Sequence, residues 1–249
     1  MIILGIDSSA VSVGAAICET GENERIIASG FINNKITHSQ TLMPLIEAIL
    51  DNSRLTLADI DTFAVSAGPG SFTGLRIGIS AVKGMAYALG KPCRAVSVLH
   101  AAACVFPLYE GIVCAVMDAR CNQVYNALFR SCEGKLTRLC EDRAITISEL
   151  EEELRSEYTG EHILLCGDGA ELCFGRLSGL TGIILAPAHE RYQNGIGVCL
   201  TAVHYPDITA AALMPGYLRL PQAERERLAK QQRDHIVQTT DAAVESTGA

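Results

Sequence analysis

Along the first half of the chain the apolar positions change period repeatedly, and each change marks an element. Ile2, Ile3, Leu4 and Ile6 make a nearly unbroken apolar run closed by Asp7, the pattern of a strand buried on both faces. A polar turn, Ser8-Ser9-Ala10, leads to a second strand from Val11 to Cys18, and Arg25 to Ile32 reads as a third. From His38 to Leu50 the spacing lengthens, and Leu42, Leu45, Ile46, Ile49 and Leu50 share one face of a predicted helix. Phe63 to Ser66 returns to strand, and a helix follows from Ser71 to about Leu89. A short strand over Arg94 to Val98 and a small helix around His100 to Val105 complete this half, with Phe106-Pro107 as its boundary.

The second half opens like the first. Ile112 to Met117 is an apolar strand ending in Asp118, followed by a polar turn and a strand from Gln123 to Arg130. With Asp118 laid on Asp7, Val124 meets Val13, Ala127 meets Ala16 and Leu128 meets Ile17, which suggests an ancient duplication. A helix is predicted over Ile147 to Glu157, then a strand, Ile163 to Cys166, running into Gly167-Asp168-Gly169-Ala170. A helix over 194–203 and an extended Pro215-Gly216-Tyr217-Leu218-Arg219 follow. Residues 221–249 form a charged, then polar tail, expected to be partly disordered.

Composition narrows the class. With 249 residues, 49% of them hydrophobic, the chain can build one large or two small cores. No apolar run approaches the roughly 18 residues of a membrane span, and Met1 to Asp7 lacks the basic start of a signal peptide. The ten cysteines are scattered with no CxxC pair, as expected of reduced cytoplasmic thiols acting as small hydrophobes. A formal net charge of −8 with no dense basic cluster disfavours tight RNA binding by this chain alone.

The richest segment is Gly68-Pro69-Gly70-Ser71-Phe72-Thr73-Gly74-Leu75-Arg76-Ile77-Gly78. Gly68-Pro69-Gly70 makes a tight turn and Ser71 a helix N-cap. Gly74, Gly78 and Gly84 each cost about 1 kcal/mol relative to alanine inside a helix, so their lack of side chains should admit another backbone or a phosphate. A P-loop is excluded because no lysine follows Gly74, and a nucleophile elbow because Ser71 lacks flanking glycines two positions away. Gly70, Gly74 and Gly78 recur every four positions and line one helical face, where a second helix could approach closely beside Leu75, Ile79 and Val82.

Asp7 with Ser8 and Ser9 could hold a hydrated cation and a phosphate, or could close a hairpin. Gly167-Asp168-Gly169 could pass beneath a nucleotide or form a strand-to-helix turn. No two of the histidines (His38, His100, His162, His189, His204 and His235) stand three to five apart, so no metal motif is legible.

Taken in order, Asp7 with its serine turn, the glycine block, Asp118-Ala119-Arg120, Gly167-Asp168-Gly169-Ala170 and Tyr217-Leu218-Arg219 resemble the TsaB (YeaZ-like) family of tRNA threonylcarbamoyladenosine biosynthesis proteins over roughly residues 1 to 220. The resemblance implies an α/β fold of two ribonuclease-H-like (actin-like ATPase, ASKHA) lobes, mixed sheets flanked by helices. The lobes would be 1–106 and 107–220, with the 194–203 helix packing back on the first. It implies a cytoplasmic, non-catalytic subunit that pairs with the TsaD-like catalytic paralogue, is joined by the TsaE-like ATPase, and forms a homodimer when alone. The complex would carry a threonylcarbamoyl group to N6 of adenosine 37 in tRNAs reading codons that start with A. The tRNA would be met only through the complex, ATP or ADP would enter only at that level, and no membrane is involved.

The catalytic paralogue's H-x-x-x-H metal motif falls near Val98 and Ala102, which cannot ligate a metal. The implied partner surface is the first two helices of the N-terminal lobe: His38 and Leu42 with Gly70, Ser71, Phe72, Thr73, Gly74, Leu75, Arg76, Gly78 and Val82. On that expectation Gly78→Arg abolishes partner binding and leaves the monomer folded. Nucleotide binding through Asp7, Ser8, Ser9, Asp118, Gly167, Asp168 and Gly169 stays open, as does the alternative of an ATP-binding kinase or ATPase that uses Asp7 and Asp118.

Overall fold

The computed structural model describes residues 1–34 and 36–219; the expected tail from 221 lies outside the described residues. The opening apolar run becomes β1 (Ile2–Asp7), which pairs antiparallel with β2 (Val13–Glu19), and β2 with β3 (Arg25–Ile32). α1 (His38–Ser53) follows and ends on Arg54 in the left-handed conformation. β4 (Thr62–Gly68) lies parallel to β1, α2 (Phe72–Leu89) returns, and β5 (Cys93–Ser97) closes a sheet of order β3-β2-β1-β4-β5. Ser71 caps α2, its Oγ accepting from Gly74 N at 3.3 Å, and Gly90 at φ 63° ends it.

α3 (Val98–Ala103) leads to β6 (Gly111–Asp118) and β7 (Gln123–Cys132), an antiparallel pair. β8 (Lys135–Arg138) and β9 (Arg143–Thr146) both pair with β7, and α4 (Ile147–Glu157) starts on a Thr146–Glu149 capping box. β10 (Ile163–Cys166), α5 (Ala170–Arg176), β11 (Ile183–Leu185) and α6 (Gly195–Ala202) complete the described elements. The second sheet runs β11-β10-β6-β7-β8, with β9 beside β7.

The two hairpins correspond, but with one correction to the sequence alignment. Asp7 faces Gly14 across the first hairpin, whereas Asp118 faces Val124 across the second. The second turn is therefore one residue shorter, and the counterpart of Ala127 is Ile17 rather than Ala16. The sequence match slid the strand by one residue, which would have exchanged its faces.

Helices α1 and α2 cover one face of the first sheet, burying Leu42, Ile46, Phe63, Val65, Ile79 and Val82. α6 and α3 cover the other face through Ile3, Ala16, Ala64, Ala101 and Val198. α6 seats unusually close: a Cβ on Gly195 would stand 2.4 Å from Ala16 N, and one on Gly5 2.6 Å from Cys199 Sγ. α3 also enters a core with the second sheet, where Leu99 and Ala102 join Val113, Phe129 and Leu164. α4 and α5 close that sheet's far face with Leu150, Leu154 and Cys173. Met1–Leu218 form one compact unit, since this shared core crosses the 106/107 boundary.

Candidate functional site

The glycine face of α2 points inward. A Cβ on Gly74 would stand 2.1 Å from Ser8 O, one on Gly78 2.4 Å from Ser8 Oγ, and one on Gly70 2.6 Å from Ser9 O. Ser8 Oγ donates to Gly74 O at 2.8 Å, and Ser71 N to Ser9 O at 2.7 Å. The backbone that these glycines admit is the chain's own β1–β2 turn. Gly70, Gly74 and Gly78 are therefore removed from the partner surface, and so are Leu75 and Val82, which are buried in the core. The Gly78→Arg test goes with them, because that side chain would collide with Ser8 and Val65.

What α1 and α2 leave open is a groove of about 650 Å³ between their first halves. His38, Leu42, Phe72, Thr73 and Arg76, named from the sequence, line it, Leu42 as a largely buried residue. So do Ser39 and Met43 on α1 and Ile77, Ser80 and Ala81 on α2, which the sequence reading passed over. Part of the signal was available: Ser39 and Met43, and Thr73, Ile77 and Ala81, repeat at four-residue spacing along one side of each helix, with Ile77 and Ala81 also packing against the core. Ser71 is exposed at the start of α2, outside the groove lining. His38 is anchored by a 2.7 Å contact between its Nε2 and Ala10 O.

One rim of the groove is built by the late Tyr217. Its ring stacks on Phe72 with centroids 4.7 Å apart, and its hydroxyl accepts from Arg76 Nε at 3.0 Å. The strap is tied down where Gly216 N donates to Ala67 O at 2.8 Å. A Cβ on Gly68, at φ +150°, would meet Gly216 O at 2.1 Å, so that turn is glycine for the sake of the strap.

The second candidate lies between the sheets. Asp7 is fully buried, and both its oxygens are occupied: Oδ1 accepts from Ser9 N at 3.0 Å and from Ser9 Oγ at 2.9 Å, and Oδ2 from Ser66 Oγ. Burial raises its pKa, opposed by those hydrogen bonds. Asp118 Oδ1 accepts from Arg120 N at 2.7 Å. Asp168 is pushed up to about 6, chiefly by burial, with the charges of Asp118 and Asp7 adding and a 3.2 Å hydrogen bond from Gln193 opposing. The structure thus brings Asp7, Asp118 and Asp168 into one electrostatic neighbourhood.

The glycines beside them serve the fold: a Cβ on Gly167 would meet Val116 O at 2.0 Å, and one on Gly169 Asp118 N at 2.9 Å. The backbone they admit is β6. Val98 and Ala102 are buried aliphatic residues of α3. Among the described residues no three His, Cys, Asp or Glu side chains gather as a metal site, and no helix is long and apolar enough to cross a membrane.

Comparison with known proteins agrees with this geometry. A model of the family "TsaD: tRNA N6-adenosine threonylcarbamoyltransferase" matches residues 27–169. The tRNA threonylcarbamoyladenosine biosynthesis protein TsaB of Bacillus subtilis is 28% identical over 93% of this chain and all of its own. That of Escherichia coli is 32% identical over 76% of this chain and 83% of its own. A solved Pseudomonas aeruginosa structure, described as similar to peptidase YeaZ, superposes with TM-score 0.73 at 23% identity, covering 88% of this chain and 99% of that one. The two mixed sheets flanked by helices are this ribonuclease-H-like, actin-like arrangement.

Proposed function

Because the chain belongs to the TsaB (YeaZ-like) family, we propose that it is the non-catalytic subunit of a tRNA threonylcarbamoyltransferase complex, engaged through the α1–α2 groove. Its role is in threonylcarbamoyladenosine biosynthesis, the process in the names of its TsaB relatives. Its partners are a TsaD-like catalytic paralogue and a TsaE-like ATPase; tRNA and ATP or ADP enter at the level of the complex, and the chain alone pairs with itself. The setting is cytoplasmic.

The observation that carries this reading is the groove: part-buried apolar side chains, Phe72 and Ile77, beside small Ser80 and Ala81 on an otherwise polar outer face. Such a surface suits a partner helix. The commitment of both Asp7 oxygens to Ser9 and Ser66 supports a scaffold over an ATP-using enzyme. The test is copurification of the TsaD-like partner with wild type and Ser80→Trp, an exposed position whose enlargement fills the groove without touching the core. Ser80→Trp is expected to lose the partner and keep its melting temperature. Unchanged capture, or nucleotide turnover by the isolated chain that Asp7→Asn abolishes, would overturn the reading.

A further inference from the structure

The apolar floor of the groove does not account for Arg76. Its guanidinium carbon sits 3.8 Å above the Phe72 ring centroid, and its Nε donates to Tyr217. The side chain is thus fixed on two sides while exposed, and among the described residues its two terminal nitrogens have no hydrogen-bond or ion-pair partner. A guanidinium so held has given up rotamer freedom before any ligand arrives, and its paired N–H groups match the two oxygens of a carboxylate. Among the described residues, the segments of α1 and α2 that line the groove supply no such carboxylate. α2 carries Arg76 and Lys83 and no acidic residue over its whole length. The part of α1 that lines the groove, His38 to Met43, has none either; Glu47 and Asp51 lie on its far half.

We propose that the groove receives a helix of the catalytic partner that is apolar on one face and sets an Asp or Glu carboxylate on the Arg76 fork. This rests on the reading of the groove given above. A second copy of the chain fits less well, because α2 laid on α2 brings Arg76 and Lys83 against the same cations. Met43 and Ile77 then bury the apolar face of the partner helix, while the fork fixes its register.

The experiment is a binding titration of the full chain with the TsaD-like partner at low and high salt. It compares wild type, Arg76→Glu, Arg76→Lys, Tyr217→Phe and the groove-filling Ser80→Trp, with melting curves as the folding control. Arg76→Glu is expected to weaken binding about 100-fold and to flatten its salt dependence. Arg76→Lys keeps the charge but loses the fork, for about a tenfold loss. Tyr217→Phe, which frees the fork, should fall between wild type and Arg76→Lys. Binding by Arg76→Glu within twofold of wild type, while Ser80→Trp abolishes it, sinks the carboxylate and leaves the groove standing. Unchanged binding by Ser80→Trp sinks the groove itself. Loss of self-association in Arg76→Glu with partner binding intact identifies the occupant as a second copy and overturns the proposal.

Discussion

Gly74 and Gly84 lie in the same helix and look alike in the sequence, yet their substitutions should have opposite signs. A methyl on Gly74 meets the carbonyl oxygen of Ser8 at 2.1 Å, and the buried turn that carries it cannot retreat. Gly74→Ala is expected to destabilise the fold by about 3 kcal/mol. A methyl on exposed Gly84 meets nothing within 4 Å, so Gly84→Ala should stabilise by about 1 kcal/mol through helix propensity alone. Urea unfolding of both variants checks the pair; equal effects would show that the inward contact is unimportant.

Two titrating residues oppose each other in the acid range. Asp168 is raised from 3.8 to about 6, so between those values the folded chain holds more protons than the unfolded one. Its contribution to stability therefore falls as the pH rises through that window. His100 is lowered from 6.5 to about 4, first by burial and then by the charges of Arg138 and His204. There the unfolded chain holds more protons, and stability falls as the pH drops. Unfolding measured from pH 4 to 7 should show Asp168→Asn losing stability toward acid more steeply than wild type. His100→Gln should lose less. Two variants that both parallel the wild-type curve would show that neither shift is present.

At the scale of elements, legibility followed burial. β1 and β10 stand where the apolar pattern predicts them because each buries a nearly continuous run of its own side chains, and α4 because Ile147, Leu150 and Leu154 are buried along one face. β8, β9 and β11 were invisible: Lys135–Arg138 and Arg143–Thr146 are short and polar, and they form by hydrogen bonding to β7, which the local sequence does not reveal. The site divided in the same way. The glycine spacing correctly announced close backbone contact, but spacing carries no direction, and the contacting backbone belongs to Ser8, 66 positions earlier. Tyr217 was noticed as a motif, and its place against Phe72 and Arg76 needed the fold.

Across the described residues, the two sheets are joined by a common core. Leu75, Val98, Leu99 and Phe106 from the first half share a core with Val113, Phe129 and Leu164 from the second. α6, from the far end of the sequence, covers β1 and β2. A fragment of residues 1–106 would expose both of these faces to water. It is expected to show no cooperative thermal transition by circular dichroism, whereas a fragment of residues 1–218 should melt in one step. A sharp transition in the shorter piece would mean that the halves fold separately.

The Arg76–Tyr217 hydrogen bond joins residues 141 positions apart, and this sets a time order as well as a geometry. Synthesis delivers Arg76 early and Tyr217 only after the second sheet and α6 have been made. Until then the guanidinium has no hydroxyl to hold it, and the ring of Phe72 has no second ring against it. Recognition through the fork therefore waits until residue 217 has been made, and a product truncated before it cannot compete for the partner on equal terms. The late tyrosine thus makes the site depend on synthesis as far as residue 217, so that a product ending before it lacks the binding form of the fork.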